Sequence, residues 1–66
     1  MPRPVSLPEP WRSLALRLGS VEALASELHS NPSTIRRWAH QERSPNGPAR
    51  ALIRALFEAH GLESPV

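Results

Sequence analysis

The sequence contains no cysteine, aspartate, lysine or tyrosine, and its aromatic residues are two tryptophans and one phenylalanine. Without cysteine there is no disulfide framework and no thiolate metal site. The three histidines lack metal-ligand spacing, so we expect no zinc or other metal, and nothing indicates a cofactor. There is also no glycine-rich phosphate loop and no arrangement of paired carboxylates. The residues that an enzyme needs are therefore missing, and we expect no catalytic activity.

The chain has 66 residues, which is enough for one domain with a small core. A chain of this length buries only about 60% of the surface that its unfolded form exposes. No apolar run has the length of a signal segment or a membrane span, so we expect a cytoplasmic protein with no membrane partner. The aliphatic residues are mostly leucine and alanine, with few β-branched side chains. This composition favours helices over strands and predicts an all-α fold.

Positive charge is concentrated in the middle of the chain. Residues 1–28 hold three arginines and three glutamates, residues 29–54 hold five arginines against one glutamate for a net +4, and residues 55–66 hold two glutamates. Such clustering indicates a polyanionic partner. Every basic residue is arginine, whose guanidinium fork can bind phosphate or guanine through two hydrogen bonds. An arginine-only composition is, however, equally well explained by a GC-rich genome.

Prolines occupy four of the first ten positions, which excludes a regular element there. We therefore divide the chain into an extended proline-rich arm at residues 1–9, a folded domain at residues 10–62 and a tail at residues 63–66. Arg3 gives the arm a cation that can reach an adjacent minor groove. The alternative, that the arm is simply disordered, is true of most such termini.

Apolar residues at i, i+3, i+4 and i+7 spacing, together with turn residues, predict the helices of the domain. The predicted ranges are 10–18, 21–28, 32–40 and 48–60. Ser20 is suited to cap the second helix and Asn31 to cap the third, which then begins at Pro32. Gly61 is the expected left-handed stop after the fourth helix, with Leu62 placed for the accompanying hydrophobic contact.

The third helix has two faces of different character at about 100° per residue. Ile35 and Trp38 share the apolar face. The opposite face carries four polar or cationic side chains, which are Ser33, Arg36, Arg37 and His40. This face has no glutamate at i±4, whereas a merely solvated face more often mixes charges to gain such pairs. The pattern favours a face that contacts DNA over one that is only solvated.

Together these features resemble the lambda-repressor/Cro-like helix-turn-helix domains of phage and bacterial transcription regulators. The matching text is SVEALASEL-HSNPSTIRRWAHQERSPNGPARALIRAL, with a capped second helix, an alanine that faces the third helix and a T-I-x-x-W recognition helix. The resemblance covers roughly residues 11–56 and implies a compact all-α helix-turn-helix DNA-binding domain of four helices, or five at most. In the family the turn usually carries glycine where His29 stands, so His29 would adopt a left-handed conformation at some cost.

The resemblance also implies roles for individual residues. The residues entering the major groove to contact bases would be Pro32, Ser33, Arg36 and Arg37. One of the two arginines would be the natural guanine reader. The residues contacting phosphates would be Ser20, His40, Arg43, Ser44, Asn46 and Arg50.

The fourth helix has a broad apolar face that we divide between the core and a second copy of the chain. We expect Leu52 and Leu56 to lie in the core. The remaining apolar residues of this region have no fifth helix to cover them, so they would be partly exposed and form a two-fold contact between two copies of the chain. This predicted dimer interface consists of Ile53, Phe57, Leu62 and Val66.

The sequence thus predicts a sequence-specific regulator of transcription, a repressor or autoregulator of a prokaryote or phage. It would bind double-stranded DNA as a homodimer on an inverted repeat, that is, a palindromic operator. The alternative is a protein-interaction module, antitoxin-like or an adaptor, that uses the apolar face of helix 48–60 to hold a partner. A nonspecific nucleic-acid binder is a third hypothesis.

Overall fold

The computed structural model describes residues 6–66, so the predictions for the arm that concern residues 1–5, including Arg3, lie outside the described residues. Within that range the chain forms four helices, which are α1 (Trp11–Leu18), α2 (Val21–Glu27), α3 (Pro32–Ala39) and α4 (Gly47–Ala59). No strand and no fifth helix occur in this range, which confirms the all-α class. The longest of these helices has 13 residues. None of them has the length and apolarity needed to cross a bilayer.

Three of the four helices begin at a side chain that caps the backbone. Ser20 Oγ accepts a hydrogen bond from the amide three residues further on at 3.0 Å, and the Oδ1 atoms of Asn31 and Asn46 do the same at 2.9 Å. These caps satisfy amides that the first turn of a helix leaves without partners. The predicted caps Ser20 and Asn31 are confirmed. The resemblance implies only a phosphate contact for Asn46, and the structure adds its capping role.

Three helices end with a residue in the left-handed conformation. The φ angles are +53° at His29 after α2, +60° at Gln41 after α3 and +69° at Gly61 after α4. In each case the following amide donates to the carbonyl five residues back, at 2.8 to 2.9 Å, which is the Schellman arrangement. The prediction for Gly61 and the left-handed conformation of His29 are confirmed.

His29→Gly is expected to raise the free energy of unfolding by about 0.5–1 kcal/mol. The left-handed conformation costs a residue with a Cβ roughly 1–2 kcal/mol, and glycine avoids this cost. Part of the benefit is lost because glycine gives up more conformational entropy than histidine when the chain folds. Thermal and urea unfolding followed by circular dichroism measures the change. His40→Gly is the matched control, because His40 is also an exposed residue at the end of a helix but has a φ of −90°. Equal effects of the two substitutions would contradict the explanation.

The core is formed by one cluster of buried apolar side chains from all four helices. Its buried members are Leu7, Trp11, Leu14, Ala15, Leu24, Ala25, Leu28, Ile35, Ala39, Ile53 and Phe57. The rings of Trp11 and Phe57 meet edge to face, with centroids 5.3 Å apart and planes at 89°. This geometry suits the charge distribution of aromatic rings and joins α4 to α1.

The rotation of α4 about its axis differs from the prediction. Ile53 and Phe57 have no exposed surface, whereas Leu52 is 42% exposed and Leu56 is only partly buried. Relative to the prediction, α4 is rotated about its axis by about one residue, or 100°. This rotation places Phe57 inside the domain, where its ring meets the ring of Trp11. The predictions that Ile53 and Phe57 are partly exposed and that Leu52 lies in the core are therefore wrong, and neither Ile53 nor Phe57 can contact a second copy.

The core also extends beyond the predicted domain limits of residues 10 and 62. Leu7, assigned to the arm, is 6% exposed and belongs to the core. Val66, assigned to the tail, packs against the same cluster, as does Leu62. The two residues predicted alongside Ile53 and Phe57 for the dimer interface thus keep only part of their surface in solvent.

Candidate nucleic-acid interface

One side of α3 is held firmly by the rest of the domain. Ile35 is completely buried and Ala39 is 7% exposed, while Trp38 is half-buried against the core. On this side α2 packs against α3, and α2 packs in turn against α1. The position of α3 is therefore set by tertiary packing, and its opposite side faces solvent.

The solvent side of α3 carries the four residues that the sequence placed there. Ser33, Arg36, Arg37 and His40 are all exposed. At 100° per residue, Arg37 lies about 200° around the helix from Ile35, and Arg36 lies about 100° from it. Arg37 is thus directed almost straight away from the core, and Arg36 is directed to one side. Pro32, the other predicted base contact, is half-buried at the first position of the helix.

The arginines of this face have no acidic partner among residues 6–66. The single ion pair in that range joins Arg12 to Glu9 at 3.6 Å, and both of those side chains are more than half exposed. Glu42 follows α3 and is exposed, but it is not paired with either arginine. The guanidinium groups of Arg36 and Arg37 consequently keep their five donors each for an external acceptor.

The loop after α3 folds back onto the end of that helix. The amides of Glu42 and Arg43 both donate to the carbonyl of Arg37, at 2.9 and 3.4 Å. This fold-back closes one side of a groove of about 330 Å³. The groove is lined by Thr34, Arg37, Trp38, Arg43, Ser44, Pro45 and Asn46. It contains two arginines and no carboxylate, so it is a concave surface suited to an anion.

Not all of the predicted phosphate contacts lie in this groove. Arg43, Ser44 and Asn46 line it, together with Arg37, for which the sequence predicts a base contact. Ser20 at the start of α2 and Arg50 on α4 do not, and neither does His40. The Oδ1 atom of Asn46 is used by the helix cap, so only its amide nitrogen is left to donate to a ligand.

Three residues of the groove were not identified from the sequence. Thr34 donates its hydroxyl to Asn31 Oδ1 at 3.1 Å and so contributes shape rather than a free donor. Trp38 and Pro45 also line the groove. The signal that could have revealed part of this is the repeated placement of asparagine one or two residues before a proline in a first helical turn, at Asn31 and again at Asn46. If Asn46 is identified as a helix cap, the loop after α3 must end at Asn46.

The described part of the chain offers no group of metal ligands. Within residues 6–66 no three histidine or glutamate side chains lie closely enough together to hold a metal ion.

Comparison of the chain with protein-family models, with curated proteins and with solved structures found no match in any of the three. The function must accordingly be inferred from the arrangement of this chain's own residues.

Proposed function

We propose that this protein is a sequence-specific, double-stranded-DNA-binding transcriptional regulator that places α3 in the major groove. It acts as a repressor or autoregulator and binds as a homodimer to an inverted repeat. The observation that carries the proposal is the solvent face of α3. There Arg36 and Arg37 project from a helix fixed by Ile35 and Ala39, with no carboxylate paired to them among the described residues.

The dimensions of α3 suit this role. A helix with its side chains is about 10–12 Å in diameter and fits the major groove of B-DNA, which is about 12 Å wide; the eight residues of α3 extend about 12 Å along it. Because α3 is already packed against α2, little conformational entropy is lost when it binds. Ser33 is short enough to let the helix approach the base edges, and an arginine can then hydrogen-bond guanine O6 and N7 together.

The groove beside α3 supports the same proposal. Arg43, Ser44 and Asn46 stand next to Arg37 without any carboxylate between them. Contacts to phosphates set the register and orientation of a protein on the duplex, while contacts to bases select the sequence. A loop that binds phosphate next to a helix that contacts bases would hold α3 in one register along the groove.

The alternative of a protein-interaction module is favoured less by these observations. It predicts a large exposed apolar patch and an acidic residue that covers the Ser33, Arg36 and Arg37 face. Within residues 6–66 the exposed apolar surface of α4 is small, with Leu52 as its one large side chain, and no glutamate is paired with Arg36 or Arg37. The cationic face therefore forms no ion pair within the described part of the chain.

The test is selection by the full chain from a pool of random DNA duplexes. We expect enrichment of a palindrome whose half-sites lie about one helical turn, roughly 34 Å, apart. The R36A/R37A variant is selected in parallel, and R12A/R17A is the matched control, because it removes two exposed arginines from α1 instead. Folded protein that enriches no sequence would contradict the proposal. Equal binding to every duplex would indicate a nonspecific nucleic-acid binder.

A further inference from the structure

The outward side of α4 is an exposed surface without charge. Its residues are Pro48, Ala51, Leu52, Ala55 and Ala59, and all of them are exposed. At 100° per residue they fall within an arc of about 100°, next to the partly buried Leu56. A surface helix normally places polar side chains on such an arc. This surface, which we call the α4 outer face, is therefore apolar where solvent alone would favour polar residues.

One edge of the α4 outer face carries two opposite charges. Arg54 and Glu58 are both exposed and are one turn apart on that edge. They form no ion pair with each other or with any other residue between positions 6 and 66. Each therefore keeps a hydrogen-bonding side chain that an external surface can pair.

We propose that a second copy of this chain occupies the α4 outer face, with the two α4 helices packed antiparallel. A two-fold axis between antiparallel helices brings the same edge of each helix together in reversed order. With the axis level with Leu56, Arg54 stands opposite the partner's Glu58, and Glu58 opposite the partner's Arg54. A parallel two-fold pair would instead bring this edge against the partner's other edge, where Leu56 lies, and would leave both charges unpaired. The charges on this edge are thus complementary to themselves in one orientation only.

Side-chain size agrees with the same axis. Leu52, the largest exposed side chain of the face, comes level with position 60 of the partner, next to the exposed alanine at position 59. Alanines on the facing helix leave room for a leucine and allow close approach of the backbones. The proposal rests on the homodimer of the proposed function, and it gives that homodimer an interface in place of the buried Ile53 and Phe57.

The size of the face predicts a weak dimer. Twelve residues of helix from 48 to 59 extend about 18 Å, and one such helix pair buries less than the roughly 1,200 Å² of a standard protein interface. We therefore expect dissociation constants on the order of 10–100 µM for the free protein. On a palindrome the two copies are held close together, and the raised effective concentration completes the pairing.

Sedimentation equilibrium of the full chain without DNA tests the inference, over loading concentrations of about 5–500 µM chosen to bracket that range. The wild type should show a monomer–dimer equilibrium. R54E and E58R should each weaken dimerisation about tenfold, since each sets like charges against one another at both symmetric positions. The double variant R54E/E58R should restore it, and an equimolar mixture of the two single variants should form a heterodimer. All these positions are exposed, and circular dichroism verifies that each variant is folded.

A second pair of variants tests the apolar part of the face. L52D should abolish dimerisation, whereas L16D, at the other exposed large leucine, should leave it unchanged. A wild type that stays monomeric at the highest concentration, a double variant that fails to recover, or equal losses from L52D and L16D would each overturn the inference. Since no DNA is present, these results are separate from the selection experiment. If the protein forms a charge-dependent dimer but selects no DNA sequence, only the proposed regulator function is contradicted. If it stays monomeric in solution but selects a palindrome, only the α4 interface is contradicted.

Discussion

Phe57→Ala is expected to lower the free energy of unfolding by about 3–5 kcal/mol, the largest effect on stability of any single truncation that we expect in this chain. Phe57 is completely buried, and its ring meets Trp11 edge to face at 5.3 Å. Alanine there removes the ring contact and leaves a cavity between α1 and α4. A core in a domain of this size rarely supplies more than about 3–5 kcal/mol in total, so the variant should be largely unfolded at room temperature.

Thermal unfolding followed by circular dichroism measures this effect. Leu52→Ala on the same helix is the matched control, because Leu52 is 42% exposed and should cost about 1 kcal/mol or less. Phe57→Leu keeps most of the volume but loses the aromatic pair, and should cost about 1–1.5 kcal/mol. If Phe57 contacted a second copy instead, its loss would matter only at concentrations where dimers form. A cooperative melt of F57A close to that of the wild type would contradict its place in the core.

Helix ends were predictable because their causes are local. Ser20 and Asn31 cap helices through hydrogen bonds to amides only three residues away, and Gly61 ends α4 through a backbone conformation of its own. The polar face of α3 was predictable for a related reason. Apolar residues occupy a narrow arc around Ile35, which leaves one way to bury the helix and one face for solvent.

The rotation of α4 was not predictable in the same way. Its apolar residues cover more than half of its circumference, so the sequence allows burial of either Ile53 with Phe57 or Leu52 with Leu56. The two choices differ by one residue, and the contact that decides between them joins Phe57 to Trp11, far away along the chain. Helical periodicity carries no information about such a partner. The error moved the expected dimer interface onto the wrong side of the helix.

The groove beside α3 depends on a backbone conformation that the sequence does not indicate. It exists because Gln41 adopts a left-handed conformation and lets Arg43 turn back toward the carbonyl of Arg37. Glycine at position 41 would have indicated such a turn, but glutamine has no special preference for it. The resemblance implied that Arg43, Ser44 and Asn46 could bind phosphate. It did not indicate that they would share a groove with Arg37.

Arg37→Ala is expected to weaken binding to the selected palindrome by about 1–3 kcal/mol at each half-site and to relax the base preference at one position of each. Arg37 is chosen because it is directed almost opposite Ile35, away from the core, and has no carboxylate partner within residues 6–66. If its guanidinium binds guanine O6 and N7, then its removal should reduce affinity for the selected site far more than affinity for random duplexes. Fluorescence anisotropy with both kinds of duplex measures the difference.

Arg43→Ala distinguishes the removal of a base-reading group from the removal of charge alone. Arg43 lies in the same groove and carries the same charge as Arg37, but we propose that it binds phosphate. Its removal should weaken all duplexes about equally and reduce the slope of log affinity against log salt by about one unit for each phosphate that is no longer neutralised. Arg17→Ala, at an exposed position on α1, should have little effect on either measure. If R37A instead behaved like R43A on every duplex, Arg37 would belong with the phosphate-binding residues of the groove. Sequence selection would then have to come from Arg36 and Ser33, the remaining exposed side chains at the predicted base-contacting positions.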